Sequence, residues 1–333
     1  MTEMPTHSDG RVSPGGAIGK VAIVTDSTAS LPAELSDGLG IIVVPVSVIV
    51  GDVAHDEGSG IAPDQVASAL AAGTSVTTSR PSPETFARAY RVATSYGARR
   101  IISVHLPQGL SGTYESAVLA SKHAQVPVTV IDARTTGMAL GYAAAAGARF
   151  AAAGVEVEAV AAVVRETAER SFLGVYVESL DYLRRGGRVS AARAIVGTAL
   201  KFHPILQMLD GNVEVVERVR TRSRALARLV QRAVAAFESM PGKVDVVVHV
   251  VGPAAQTLAY AARRSPHAES QTTVSPTSPD SVSESDAAAV ESAMREAFGS
   301  RLNSVQVVPL SAALAAHVGP GAIAVAVAPG LSA

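Results

Sequence analysis

The alternation that runs from Lys20 to Asp132 limits the fold of this chain more than any other feature. Short β-branched runs at Lys20–Asp26, Ile41–Val50, Ile101–His105 and Val128–Asp132 alternate with stretches of helical spacing at Leu31–Leu35, Ala62–Ala72, Pro83–Tyr90 and Thr113–Ala120. Strands joined through helices pair in parallel, because each helix returns the chain to the starting edge of the sheet. The pattern therefore predicts an α/β chain that opens on a doubly wound, mostly parallel sheet. Such sheets bind ligands beyond the carboxyl ends of their strands. Asp26, the Ser111 cluster and Asp132 all fall at such ends.

The second half reads differently. Gly137–Ala153 and Val155–Arg170 are predicted helices, and the Gly and Ala residues of the first allow close packing. Phe172–Val177 begins something new, so a boundary near Ser171 separates an N-terminal domain, 20–170, from a C-terminal one, 171–333. Leu180–Ser190 reads as a helix end with basic residues in its last turn and Gly as the C-cap. Leu200–Leu209 and Val213–Val219 flank Asp210-Gly211-Asn212, a hairpin signal, which makes the second sheet mixed or partly antiparallel. Helices are expected at Ala225–Met240, Gln256–Arg264 and Asp286–Leu302, and strands at Lys243–Val251, Val305–Pro309 and Ala322–Val327. His317–Gly321 reads as a glycine turn. Residues 1–19 read as a disordered extension, and 265–285, rich in Ser, Thr and Pro, as a flexible insertion.

Composition removes several functions. Hydrophobic residues make up 48% of the chain but aromatics only 4%, so the core is built from Ala, Val, Leu and Ile. A net charge of −1, from 28 basic and 29 acidic residues, gives no general field for nucleic acid or an anionic membrane. The absence of Cys excludes disulfides and thiolate chemistry and suits a cytoplasmic setting. No His or carboxylate spacing points to a metal. The first 19 residues lack an apolar signal region. Met138–Val164 is interrupted by Arg149, Glu156 and Glu158, so no membrane span is expected.

Two hydroxyl clusters stand out at what read as turns: Thr77-Thr78-Ser79-Arg80-Pro81-Ser82 and Gly109-Leu110-Ser111-Gly112-Thr113. The second lies where a strand meets a helix, where unpaired N–H groups and the helix dipole welcome an anion. The plainer alternative makes Ser111 an N-cap, with Gly112 easing the turn. Arg218, Arg220, Arg222 and Arg224 recur every second residue and would share one face of an extended strand. They would meet something anionic, or form a solvated edge that discourages pairing. Gly15–Val21 fails as a phosphate-binding loop, lacking its spacing and preceding a strand. Gly109–Thr113 is one residue short of a nucleophile elbow, so a serine esterase using Ser111, Asp132 and His317 stands as the enzymatic alternative.

Several separated stretches resemble, in order, the signature segments of the DegV family. They are Val24–Thr28, Thr78–Ser82, Leu110–Tyr114, Val130–Asp132, Tyr182–Arg188, Leu200–Leu206 and His317–Gly321. Arg80 stands where the family usually has Gln, and Phe202-His203 replaces a more basic pair. The resemblance implies a two-domain α/β protein holding one long-chain fatty acid between its domains. It also implies that the protein is not itself a catalyst and has no cofactor, and that it presents the carboxylate to an ATP-dependent fatty acid kinase subunit for phosphorylation. Carried over, Thr78, Ser79, Ser111, Gly112 and Thr113 would hold the carboxylate. Asp26, Arg220, Arg222 and His317 would lie near the head group or the kinase contact. Neutral Ser and Thr donors would leave the carboxylate free to react, whereas a bidentate Arg would hold the ground state as tightly as the transition state. The arginine stripe would then serve the acyl phosphate or an acidic partner surface.

Overall fold

The computed structural model describes residues 19–188, 202–252 and 284–330. Strand β1 (Val21–Asp26) and β2 (Ile42–Val44) flank α1 (Ala33–Gly38) and pair in parallel. The single strand expected over Ile41–Val50 is two strands in different sheets. Pro45 has no N–H to give a ladder, and the chain leaves the parallel sheet there. It continues as β3 (Ser47–Val50), which pairs antiparallel with β4 (Val53–Asp56) and, after α2 (Pro63–Ala71), with β5 (Val76–Ser79). The first hydroxyl cluster therefore stands on an edge strand, not a turn. Then α3 (Pro83–Ser95), β6 (Arg100–His105), α4 (Thr113–Ser121) and β7 (Val128–Asp132) complete a parallel sheet of order β2-β1-β6-β7. Winding reverses between β1 and β6, so the switch-point crevice opens beyond those two strands.

The remaining elements are α5 (Gly137–Ala152), α6 (Val157–Arg170), β8 (Phe172–Tyr176), α7 (Asp181–Gly186), β9 (His203–Leu209), β10 (Asn212–Val219) and α8 (Arg222–Ala235). They continue through β11 (Val244–Val250), α9 (Glu284–Phe298), β12 (Leu302–Pro309), α10 (Ala312–Val318) and β13 (Ile323–Pro329). The second sheet has the order β10-β9-β8-β13-β11-β12, antiparallel except where β11 meets β12. The Asp210-Gly211 hairpin turn forms, with φ of 49° and 79°. The expected arginine stripe does not. β10 ends at Val219, and Arg222 and Arg224 already belong to α8, so the period of two is broken. His317 likewise lies in the last turn of α10 rather than in the glycine turn. The expected extension 1–19, helix 256–264 and insertion 265–285 fall outside the described residues, except for Gly19 and for Glu284 and Ser285, which open α9.

Ala and Gly dominate α5 because the helix is squeezed from several sides. Its Ala143, Ala144 and Ala148 pack with Ile23, Ile102 and Val104 of the parallel sheet. Its Met138, Ala139 and Tyr142 pack with Leu173, Ala324 and Ala326 of the mixed sheet. A Cβ at Gly141 would come within 2.8 Å of the Ala29 carbonyl, and one at Gly147 within 2.6 Å of Val164. His249 of β11, buried and lowered to about 4 by desolvation, accepts the Met138 N–H at 3.1 Å and ties this helix to the mixed sheet.

Candidate functional site

Between the inner face of the mixed sheet, β5 of the three-stranded sheet and α10 lies a slot with a cavity volume of about 100 Å³. Its floor is the inner face of the mixed sheet at Val175, Leu206 and Ala324, which are cross-strand neighbours. Its walls are Val46, Leu106, and Ala313 and Leu314 of α10. No acidic side chain lines it among the described residues.

Polar groups gather in one cluster. Thr78 Oγ1 lies 2.9 Å from His317 Nε2, joining β5 to α10. Arg188, just past α7, donates to the Leu110 carbonyl at 3.2 Å and to the Gly186 carbonyl, placing its guanidinium beside Ser111. Ser79, Arg80 and Ser111 line the same slot, with Arg80 against Gly112, the neighbour of Ser111. The plain N-cap role for Ser111 is not what forms. Gly112 is the N-cap of α4 without a side-chain bond, while Ser111 Oγ lies 2.8 Å from Oγ1 of buried Thr113. Burial and the neighbouring Arg188 lower His317 to about 4, so the ring is neutral at physiological pH and the positive charge here belongs to Arg80 and Arg188. The two arginines thus stand beside the neutral Ser and Thr hydroxyls in the lining. Arg188 stood in the Tyr182–Arg188 motif without a role. The helix α10 was also missed, although Ser311, which accepts from the Leu314 N–H as its N-cap, precedes an Ala-rich run.

Thr78, Ser79, Ser111 and His317 thus come together, while other expected residues lie elsewhere. Asp26 is fully buried and accepts from the Thr28 and Leu106 N–H groups, the Thr28 hydroxyl and His105 Nδ1. It supports the slot through Thr28 and Leu106, which line it. Arg222 is neutralised by Glu178 at 3.2 Å and Asp286 at 2.9 Å and does not line the slot, and Arg220 lies exposed in the turn before α8. The esterase arrangement is not assembled. Asp132 accepts N–H groups of Gln108 and Arg134, and His317 is bonded to Thr78, with no carboxylate partner among the described residues. A Ser-His-Asp chain does exist as Ser103, His105 and Asp26, but all three side chains are sealed in the core with Tyr90 and reach no substrate.

α10, which carries His317, is held at its other end by Glu57. The Glu57 carboxylate accepts from Ser27 Oγ at 2.6 Å and from the Ala313 N–H at 3.2 Å. Desolvation nevertheless raises it to about 7. A carboxyl that holds its proton more tightly in the fold adds stability below its unfolded value of 4.5, and that stability is lost as pH rises to about 7. The Tm should accordingly fall between about pH 4.5 and 7, by an amount equivalent to about 3 kcal/mol. Glu57→Gln should flatten this part of a calorimetric pH series; an unchanged slope would refute the assignment.

The fold is a three-sheet α/β architecture with one largely apolar slot that a hydroxyl, histidine and arginine cluster lines. The family model described as uncharacterised protein, DegV family, matches residues 20–330, and the chain belongs to that family. A DegV domain-containing protein of Streptomyces coelicolor is 46% identical over 229 residues, covering 69% of this chain and 81% of the relative. A fatty-acid-binding DegV family protein from Thermus thermophilus superposes with a TM-score of 0.78 at 28% identity, covering 93% of this chain and 99% of that one. A DegV family protein from Corynebacterium glutamicum does so with a TM-score of 0.71 at 26% identity, covering 95% and 99%. Among the described residues no helix is long and apolar enough to cross a membrane.

Proposed function

We propose that this chain binds one long-chain fatty acid extended along the slot, between its 20–170 and 171–333 halves. The carboxylate lies at Thr78, Ser79 and Ser111 and is presented to an ATP-dependent kinase subunit for phosphorylation to acyl phosphate. In this reading the chain carries its substrate without transforming it, needs no cofactor, and works in the cytoplasm where ATP is available. The observation that carries the reading is a mainly apolar slot lined also by the Thr78–His317 pair, Ser79, Ser111, Arg80 and Arg188. Thr28 and Thr136, further polar lining residues, are bonded within the protein, as is Gln207 to Arg232, so the apolar length has nothing to offer but burial. About fifteen methylenes at ~0.8 kcal/mol each give on the order of 12 kcal/mol of gross burial, against ~1.5–3 kcal/mol for a hydrogen bond to a charged group. The tail supplies affinity and the head-group cluster supplies position.

Organic extraction of protein purified under native conditions, followed by mass spectrometry, should recover about one fatty acid per chain; none from well-folded protein would remove the proposal. Adding a kinase subunit and ATP should yield acyl phosphate. Because Ser111 positions more than it binds, Ser111→Ala should weaken affinity by no more than about threefold. It should slow phosphorylation tenfold or more, as a misplaced head group does. Equal losses in both would refute the positioning role.

A further inference from the structure

We propose that Arg80 is the residue that makes the site select an ionised head group over a neutral one. This rests on the slot holding an amphiphile, as proposed above, and adds which head-group chemistry it accepts and which side chain decides.

Arg80 follows β5 directly and lines the slot together with Ser79 and Ser111. Its guanidinium is folded over Gly112, the N-cap of α4. A Cβ built on Gly112 would overlap Nη1, Cδ and Cζ of Arg80, and these are the nearest atoms it would meet. The missing side chain at Gly112 is thus the seat that lets the guanidinium lie against the backbone beside the Ser111 hydroxyl. Arg188, the other cation of the slot, has donors committed to two backbone carbonyls. The Arg80 guanidinium has no hydrogen-bond or ion-pair partner among the described residues, and no carboxylate lines the slot to neutralise it. A planar fork of unspent donors, held among the hydroxyls of a largely apolar slot, matches a carboxylate geometrically and electrostatically. An alcohol or a methyl ester would leave that fork unanswered.

Arg80 is exposed, so the ion pair is partly screened, and the discrimination it supplies is modest. Arg80→Gln keeps a donor and removes the charge. It should lower the ratio of palmitate affinity to hexadecanol affinity about three- to tenfold at low salt, with hexadecanol itself changing less than twofold. The wild-type ratio should fall toward the variant's as NaCl is raised to 0.5 M.

Gly112→Ala gives an independent handle. Gly112 has φ −73°, which any residue adopts, and the nearest atoms the added methyl meets belong to the movable Arg80 side chain. The variant should fold normally, keep its arginine, and show the same loss of discrimination. Titration calorimetry or displacement of a fluorescent fatty acid reads all six combinations of protein and amphiphile. A palmitate-to-hexadecanol ratio unchanged in Arg80→Gln, with wild-type protein binding both amphiphiles, would overturn the role of Arg80 and leave the slot reading intact. If wild-type protein stripped of ligand binds neither amphiphile, the slot reading itself fails. If Gly112→Ala retains full discrimination while Arg80→Gln loses it, the charge matters but its seat on Gly112 does not, and the geometric half of the proposal is overturned.

Discussion

Asp26→Ala is expected to destabilise the protein by about 3–5 kcal/mol, the usual consequence of removing one partner from a buried, fully bonded charge. Asp26 sits at the end of β1 with no exposed surface and answers four donors, from Thr28, His105 and Leu106. An alanine leaves those donors unpaired in the core and opens the joint between β1 and β6, where the slot begins. Chemical denaturation should show the loss, and ligand affinity should fall with it because Thr28 and Leu106 line the slot. A loss below about 1 kcal/mol would mean that water reaches the cluster and that Asp26 is not its keystone.

Val175→Phe tests the slot from the opposite side and should weaken palmitate binding about a thousandfold, equivalent to about 4 kcal/mol. Val175 lies at mid-floor, flanked on the sheet by Ala324 and Leu206, and is half-buried because it borders the slot. A phenyl ring there excludes roughly half of an acyl chain, or about 6 kcal/mol of gross burial at ~0.8 kcal/mol per methylene. An acid of about eight carbons should lose far less, since it ends before the obstruction. The unliganded variant should keep its Tm, because the ring enters open space. Equal weakening of both acids would place the tail elsewhere.

The parallel sheet was legible because its strands are buried on both faces and so read as continuous β-branched runs, and because helical spacing between them admits one connection type. The hairpin was legible from Asp210-Gly211, where positive φ is required. Pro45 was visible too, yet the β-branched run around it outweighed the missing N–H, and the three-stranded sheet that carries Thr78 went unread. The arginine stripe failed for the opposite reason. A period of two persists in sequence whether or not the strand does, and only the turn at Thr221, which caps α8, ended it.

The sequence by itself determined the strand-and-helix alternation, the family and the pool of hydroxyls from which a head-group site is drawn. These depend on local periodicity and on motifs that lie within a few residues of one another. Tertiary structure alone decided that Thr78 meets His317 across 239 positions, that Arg188 reaches Leu110 across 78, and that Asp26 turns inward to His105. Those pairings depend on how two sheets stack around an Ala-rich helix. Which charge enters a slot and which is sealed in a core is a property of that packing, and no spacing along the chain encodes it.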